Sequence, residues 1–130
     1  MKGVLTVLVG LPASGKSTWA KENGGKASIV STDEIRAELT GDAGDQSRNA
    51  DVWEIAFSRA EALLRAGKNV IFDATNCGRA NRRLLLKGLK SQARDVIAVY
   101  FNTSLDECKR RNALRDRVVP EEVLNRMSAR

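Results

Sequence analysis

The apolar, β-branched run Val4 to Val9 passes straight into the octapeptide Gly10-Leu11-Pro12-Ala13-Ser14-Gly15-Lys16-Ser17. No other feature limits the possible folds of this chain so tightly. A short, continuous apolar run reads as a strand buried on both faces, the habit of a parallel sheet. Gly10 and Gly15, at the two ends of the loop, let the backbone wrap closely around oxygen atoms where a side chain would clash. Amide N–H groups of the loop, and the N-terminus of the helix that follows, supply fixed positive dipoles suited to phosphate. On this pattern Lys16 reaches the terminal phosphates of a nucleoside triphosphate, and the Ser17 hydroxyl ligates Mg²⁺. Gly10, Pro12, Ala13, Ser14, Gly15, Lys16, Ser17 and Thr18 are the expected ATP-binding residues.

The rest of the chain alternates strand and helix signals. Ser28 to Ser31 predicts a second strand, and Thr32 a helix cap, with the helix running to about Leu39 before Gly41. Gly41 to Ser47 is polar and reads as a loop. Val52, Ile55, Ala56, Ala60, Leu63 and Leu64 recur at helical spacing up to Gly67. Asn69 to Asp73 predicts a third strand, Gly78 to about Gln92 a basic helix, and Val96 to Phe101 a fourth strand. Ser104 caps a helix to about Arg115, and Pro120 opens a final short one. Such alternation predicts an α/β fold: a parallel sheet of four to five strands with helices on both faces, and a ligand beyond the carboxyl ends of the strands.

At 130 residues the chain is expected to be one domain, 1–130. It has no histidine, which removes the usual general base and the commonest metal ligand, so acid–base work falls to carboxylates, Lys, Tyr or Cys. Cys77 and Cys108 give neither a disulfide framework nor metal-ligand spacing, and a reducing, cytoplasmic setting is expected. No apolar stretch approaches the ~18 residues of a membrane span. A cleavable signal is not expected, because the N-terminus leads directly into a strand. The net charge of +6 favours polyanionic partners without deciding the chemistry.

Candidate acceptor-side residues cluster at the other strand ends. Asp33 and Arg36 lie three apart, on one helix face. A carboxylate there can take the proton of an attacking hydroxyl, and an arginine beside it can hold a phosphate bidentately. The same pair also suits the helix dipole and a solvated surface. Val70-Ile71-Phe72-Asp73 runs apolar into a single acid, followed by Thr75 and Asn76, which either bond an acceptor or shape a turn. Arg79, Arg83, Lys87, Lys90 and Arg94 recur at spacings of one helix face, with Leu84, Leu85 and Leu89 serving the other. That stripe either tracks a nucleic-acid backbone or forms the solvated side of an amphipathic helix. Lys109, Arg110, Arg111, Arg115 and Arg117 crowd together, and Arg111 and Arg115 share a face. Such cations, carried on a lid, stabilise a transferring phosphoryl group, or they complement a helix C-terminus.

Taken together, Gly10 to Trp19, Asp33 with Arg36, the Asp73-Ala74-Thr75-Asn76 turn, Arg82-Arg83 and Lys109 to Met127 with Val119-Pro120 resemble the small P-loop kinases of the polynucleotide 5′-hydroxyl kinase type. The resemblance spans nearly the whole chain. It implies the P-loop NTPase fold with a C-terminal helical lid, ATP and Mg²⁺ as cofactors, and a nucleic-acid 5′-OH end as acceptor. It further implies Lys16, Asp33, Arg36 and Arg115 as catalytic residues, with Asp33 the general base and Arg36 on the acceptor phosphate. Arg111 and Arg115 are implied on the ATP phosphates. Asp73, Thr75, Asn76, Arg79 and Arg83 are the acceptor-side candidates by their place at the third strand end and on the basic stripe. Phage kinases of this type carry Asp directly before Thr-Asn, where this chain has Ala74; by strand alternation Asp73 points to the other side. A small-metabolite or nucleoside kinase and an ATP-hydrolysing nucleic-acid-binding module are the alternatives. The second lacks the acidic pair of an efficient hydrolase, since Ala74 follows Asp73.

Overall fold

The computed structural model describes residues 2–11, 13–45, 47–74, 79–114, 119, 122, 124 and 125, with the side chains of 79–82 left outside the description. Its elements are β1 (Val4–Val9), α1 (Lys16–Asn23), β2 (Ser28–Ser31), α2 (Thr32–Thr40), α3 (Asn49–Arg65), β3 (Val70–Asp73), α4 (Arg79–Leu89), β4 (Asp95–Tyr100) and α5 (Leu105–Ala113). Glu122, Leu124 and Asn125 are also helical.

The four strands form one parallel sheet in the order β2-β3-β1-β4. Chain leaving β1 crosses toward β2, whereas chain leaving β3 crosses toward β4. A crevice therefore opens between the carboxyl ends of β1 and β3, the usual ligand position in such sheets. Alternation then divides the core. Leu5, Val7, Val9, Val70 and Phe72 pack against Val52, Ala56, Ala60 and Leu64 of α3 and Leu85 and Leu89 of α4. On the opposite face Leu8 and Ile71 meet Ala20 of α1, with Trp19, Val99 and Phe101 around them. Helices thus cover both faces of a parallel α/β sheet, as the strand–helix alternation predicts.

Local chemistry adjusts three of the expectations. Ser31, not Thr32, caps α2: its hydroxyl accepts from the Glu34 N–H, and Thr32 is already helical. The basic helix ends as α-helix at Leu89 and tightens into a 3₁₀ turn over Lys90–Gln92. Arg94 then stands off the helix, its N–H bonded to the Gly3 carbonyl, so the five-residue basic stripe is not continuous. Finally, Leu84 is 61% exposed while Leu85 and Leu89, four apart, are buried. The apolar face of α4 is narrower than predicted, and Leu84 lies outside it.

Candidate active site at the strand ends

The loop after β1 is held open by its own backbone. Gly15 caps α1 with φ 104°, and Ala13, which is not glycine, has φ 63°. Left-handed backbone at an alanine is strained, and such strain persists where surrounding structure enforces it. The Ser14 N–H donates to Leu11 O at 3.1 Å, and the Thr103 hydroxyl donates to Ser14 O at 2.9 Å, tying the loop to the segment before α5. Gly10 is needed for a different reason: a Cβ there would lie 2.7 Å from Ser14 Oγ and 3.0 Å from Phe101 Cβ.

Two features fit this loop to a triphosphate. Among the described residues the buried Ser14 Oγ has no hydrogen-bond partner, an orphaned polar atom inside the loop. Lys16 is buried, and its ammonium donates to the carbonyls of Gly10 at 3.1 Å and Leu11 at 2.8 Å, which fixes a positive charge at the loop. Over Gly15, Arg111 Nη1 lies 3.8 Å from where a Cβ would stand, and among the described residues nothing comes closer outside the glycine's own neighbours. Gly15→Ala therefore meets a backbone penalty rather than a clash, about 1–2 kcal/mol for left-handed φ. We expect a fall of several degrees in Tm and weaker ATP binding, measured by thermal unfolding with and without ATP.

Next to the loop, Ser17 Oγ donates to Asp73 Oδ2 at 2.8 Å. Burial pushes the Asp73 carboxyl above the usual carboxylate range, while the Ser17 hydrogen bond and the Lys16 charge pull it back. A hydroxyl and a carboxylate in contact at this position are suitable oxygen donors for Mg²⁺. Alternation proves decisive one residue on: Ala74 packs into the core cluster formed with α3, away from Ser17. Ser17, Lys21, Ile29, Asp33, Glu34 and Asp73 line a cleft of about 190 Å³ between α1, β2 and α2. Lys21, four residues beyond Ser17 on the same helix face, was readable from spacing.

Asp33 stands in the first turn of α2, and Arg36 Nη1 donates to its Oδ1 at 2.8 Å. Arg36 is buried, and Nε donates to Asn49 Oδ1 at 3.1 Å. On α5, Glu107 accepts Arg111 Nε at 3.0 Å and Arg110 Nε at 2.9 Å, and these two guanidinium groups hold its carboxyl down to about 2. Glu107 thus carries the guanidinium that reaches over Gly15, a link that a count of arginines does not reveal. Asn112, also buried, pairs through its amide with the backbone of Val119 and ties α5 to the segment that follows.

The described residues bring Gly10, Ala13, Ser14, Gly15, Lys16 and Ser17 together in the loop with Arg111, and place Asp33 and Asp73 in the adjoining cleft. Thr18 is exposed on the first turn of α1, and Arg83 is exposed on α4. Pro12, Thr75, Asn76, Arg115 and the side chain of Arg79 lie outside the described residues.

A parallel sheet whose first strand turns through this loop into a helix, with an acid at the adjacent strand end, defines a domain of the P-loop kinase type. The chain belongs to the AAA domain family, whose model matches residues 5–130. It is 27% identical over 143 residues to the L-seryl-tRNA(Sec) kinase of Methanococcus maripaludis, a match spanning 95% of this chain and 51% of that protein. Among solved structures, a chain of the Pnkp1/Rnl/Hen1 complex superposes with a TM-score of 0.77 at 26% identity, covering 92% of this chain and 40% of the other. The APS kinase CysC of Mycobacterium tuberculosis, solved with AMPPNP and APS, gives a TM-score of 0.67 at 26% identity, covering 85% and 69%. The chain thus spans about half the length of this curated relative. Among the described residues no helix is long and apolar enough to cross a membrane.

Proposed function

We propose that residues 1–130 act as a single kinase domain in the cytoplasm, transferring the γ-phosphoryl group of ATP to a hydroxyl, and that the acceptor is the 5′-OH end of a polynucleotide. The observation that carries this reading is the Asp33 carboxylate, which lines the same cleft as Ser17 and Asp73 and is bonded to a buried arginine. Support for the nucleic-acid acceptor comes from the sequence resemblance, the net charge of +6 and the tRNA-borne acceptor in the name of the Methanococcus relative. Bound ATP would supply the phosphoryl group and leave as ADP, with Mg²⁺ screening the phosphate oxygens.

In this reading the chain positions groups and moves one proton. Asp33 takes the proton of the acceptor hydroxyl as its oxygen attacks. Lys16, Arg111 and Arg115 hold the charge that spreads over the transferring oxygens, and the Ser17 hydroxyl, bonded to Asp73, would be a side-chain ligand for Mg²⁺. The hydrogen bonds that Arg36 makes among the described residues use Nε and Nη1, which leaves Nη2 for an acceptor phosphate. Asp73, Thr75, Asn76, Arg79 and Arg83 complete the acceptor side.

A second reading, a kinase of a small alcohol or nucleoside, is favoured by the cleft itself. At about 190 Å³ and lined by three carboxylates, it suits one compact hydroxyl-bearing group. The salt response of acceptor affinity separates the two. A polynucleotide that neutralises cations on the protein releases counterions, so its KM rises steeply with added salt. A flat response with a preferred small-molecule acceptor would replace the first reading by the second.

A further inference from the structure

Resting on the assignment of Asp33 as general base, we infer that Asn49 is a positioning residue for that base, acting through Arg36. The geometry is a chain of side chains across a loop. Asp33 and Arg36 belong to α2; Asn49 is the first residue of α3, reached only after the segment 41–48. Arg36 Nη1 reaches Asp33 Oδ1 at 2.8 Å, and Nε reaches Asn49 Oδ1 at 3.1 Å, with the Ala43 carbonyl also near Nη1 at 3.5 Å.

Burial gives this chain its purpose. The Asp33 side chain is 52% exposed, whereas the Arg36 side chain that bonds it is 7% exposed, so the arginine is the buried anchor of the pair. An arginine has several rotatable bonds, and fixing one end of the guanidinium leaves its plane able to swing. A bond at Nε removes that freedom, because Nε joins the stem to the planar group. Asn49 therefore restrains how Arg36 presents Nη1, and Arg36 in turn restrains how the Asp33 carboxylate is turned.

A second tie between the same helices provides the control. Arg59 of α3 pairs with Glu38 of α2 at 2.8 Å, in solvent and away from Asp33. If docking of α2 on α3 were all that mattered, either tie would serve. Under the proposal only the Asn49 tie affects turnover.

The test compares Asn49→Leu, which removes the acceptor at similar volume, with Asn49→Asp, which restores an oxygen for Nε, and with Arg59→Ala. Readouts are kcat and ATP KM for whichever hydroxyl acceptor the wild-type chain labels, Tm, and the hydrogen-exchange protection of the Arg36 Nε–H by NMR. Asn49→Leu is expected to lower kcat about tenfold, a typical loss for one hydrogen bond to a charged group. ATP KM should stay within about twofold, and the Nε–H should lose its protection. Asn49→Asp should recover most of the rate, and Arg59→Ala should leave kcat unchanged. An unchanged kcat in Asn49→Leu, or losses in Asn49→Leu and Arg59→Ala that simply follow Tm, would overturn the proposal. Retained turnover in Asp33→Asn would instead defeat the base assignment. In that case the Nε–H readout still reports whether Asn49 holds Arg36.

Discussion

Asp33→Asn is expected to lower kcat by about 10²–10⁴-fold, the range that a positioned general base contributes. The substitution is nearly isosteric and removes one capability. An asparagine oxygen still accepts from Arg36 Nη1, so the bond seen at 2.8 Å has a replacement and α2 keeps its place on α3. Lys16, Ser17 and the glycine loop are untouched, so ATP affinity and Tm should stay close to wild type. The chain contains no histidine that could take over the proton. Asp73 and Glu34 line the same cleft, so a rate that survives in Asp33→Asn would turn attention to them. Rapid-quench measurement of label transfer separates the chemical step from ATP binding. A variant turning over at the wild-type rate would remove Asp33 from the reaction.

Lys16→Ala is expected to cost about 10³-fold in turnover, the scale of losing one preorganised charge at a developing anion. In the structure the ammonium is buried and aimed at two carbonyls of the loop it serves, Gly10 and Leu11. Its removal deletes the fixed charge and frees those carbonyls to repel phosphate oxygens. ATP binding should therefore weaken as well, which separates this variant from Asp33→Asn. Lys16→Arg should not rescue the rate, because a planar fork cannot replace a compact ammonium whose hydrogens point at both carbonyls. Calorimetric ATP titration alongside turnover checks both parts. Unimpaired ATP binding in Lys16→Ala would contradict the role given to the loop.

What could be read from the sequence follows the range of the forces involved. The β1–loop–α1 unit was legible because its signals are local: an apolar run, glycines that a close-packed backbone requires, then a helix. The other strands and most helix starts were legible for the same reason, and capping slipped by one residue where Ser31 and Thr32 stood side by side. Alternation along β3 was enough to separate Asp73 from Ala74, since a period of two leaves no choice of side. The Asn49 link was not legible. It depends on how the segment 41–48 returns the chain to α2, and no periodicity encodes that path. Nor did the spacing of Asp33 and Arg36 show that the arginine is buried. The Glu107 grip on Arg111 is an ordinary four-residue helix pair, and only its position over Gly15 makes it relevant.

The most direct test of the central claim is to incubate the chain with γ-labelled ATP, Mg²⁺ and a 5′-OH oligonucleotide, and to map any added phosphate by mass spectrometry of terminal fragments, with Lys16→Ala in parallel. The account predicts one phosphate at the 5′ end, absent from an oligonucleotide already 5′-phosphorylated and absent in the variant. Label released only as inorganic phosphate, or carried only by a small alcohol from a mixed acceptor pool, would contradict it.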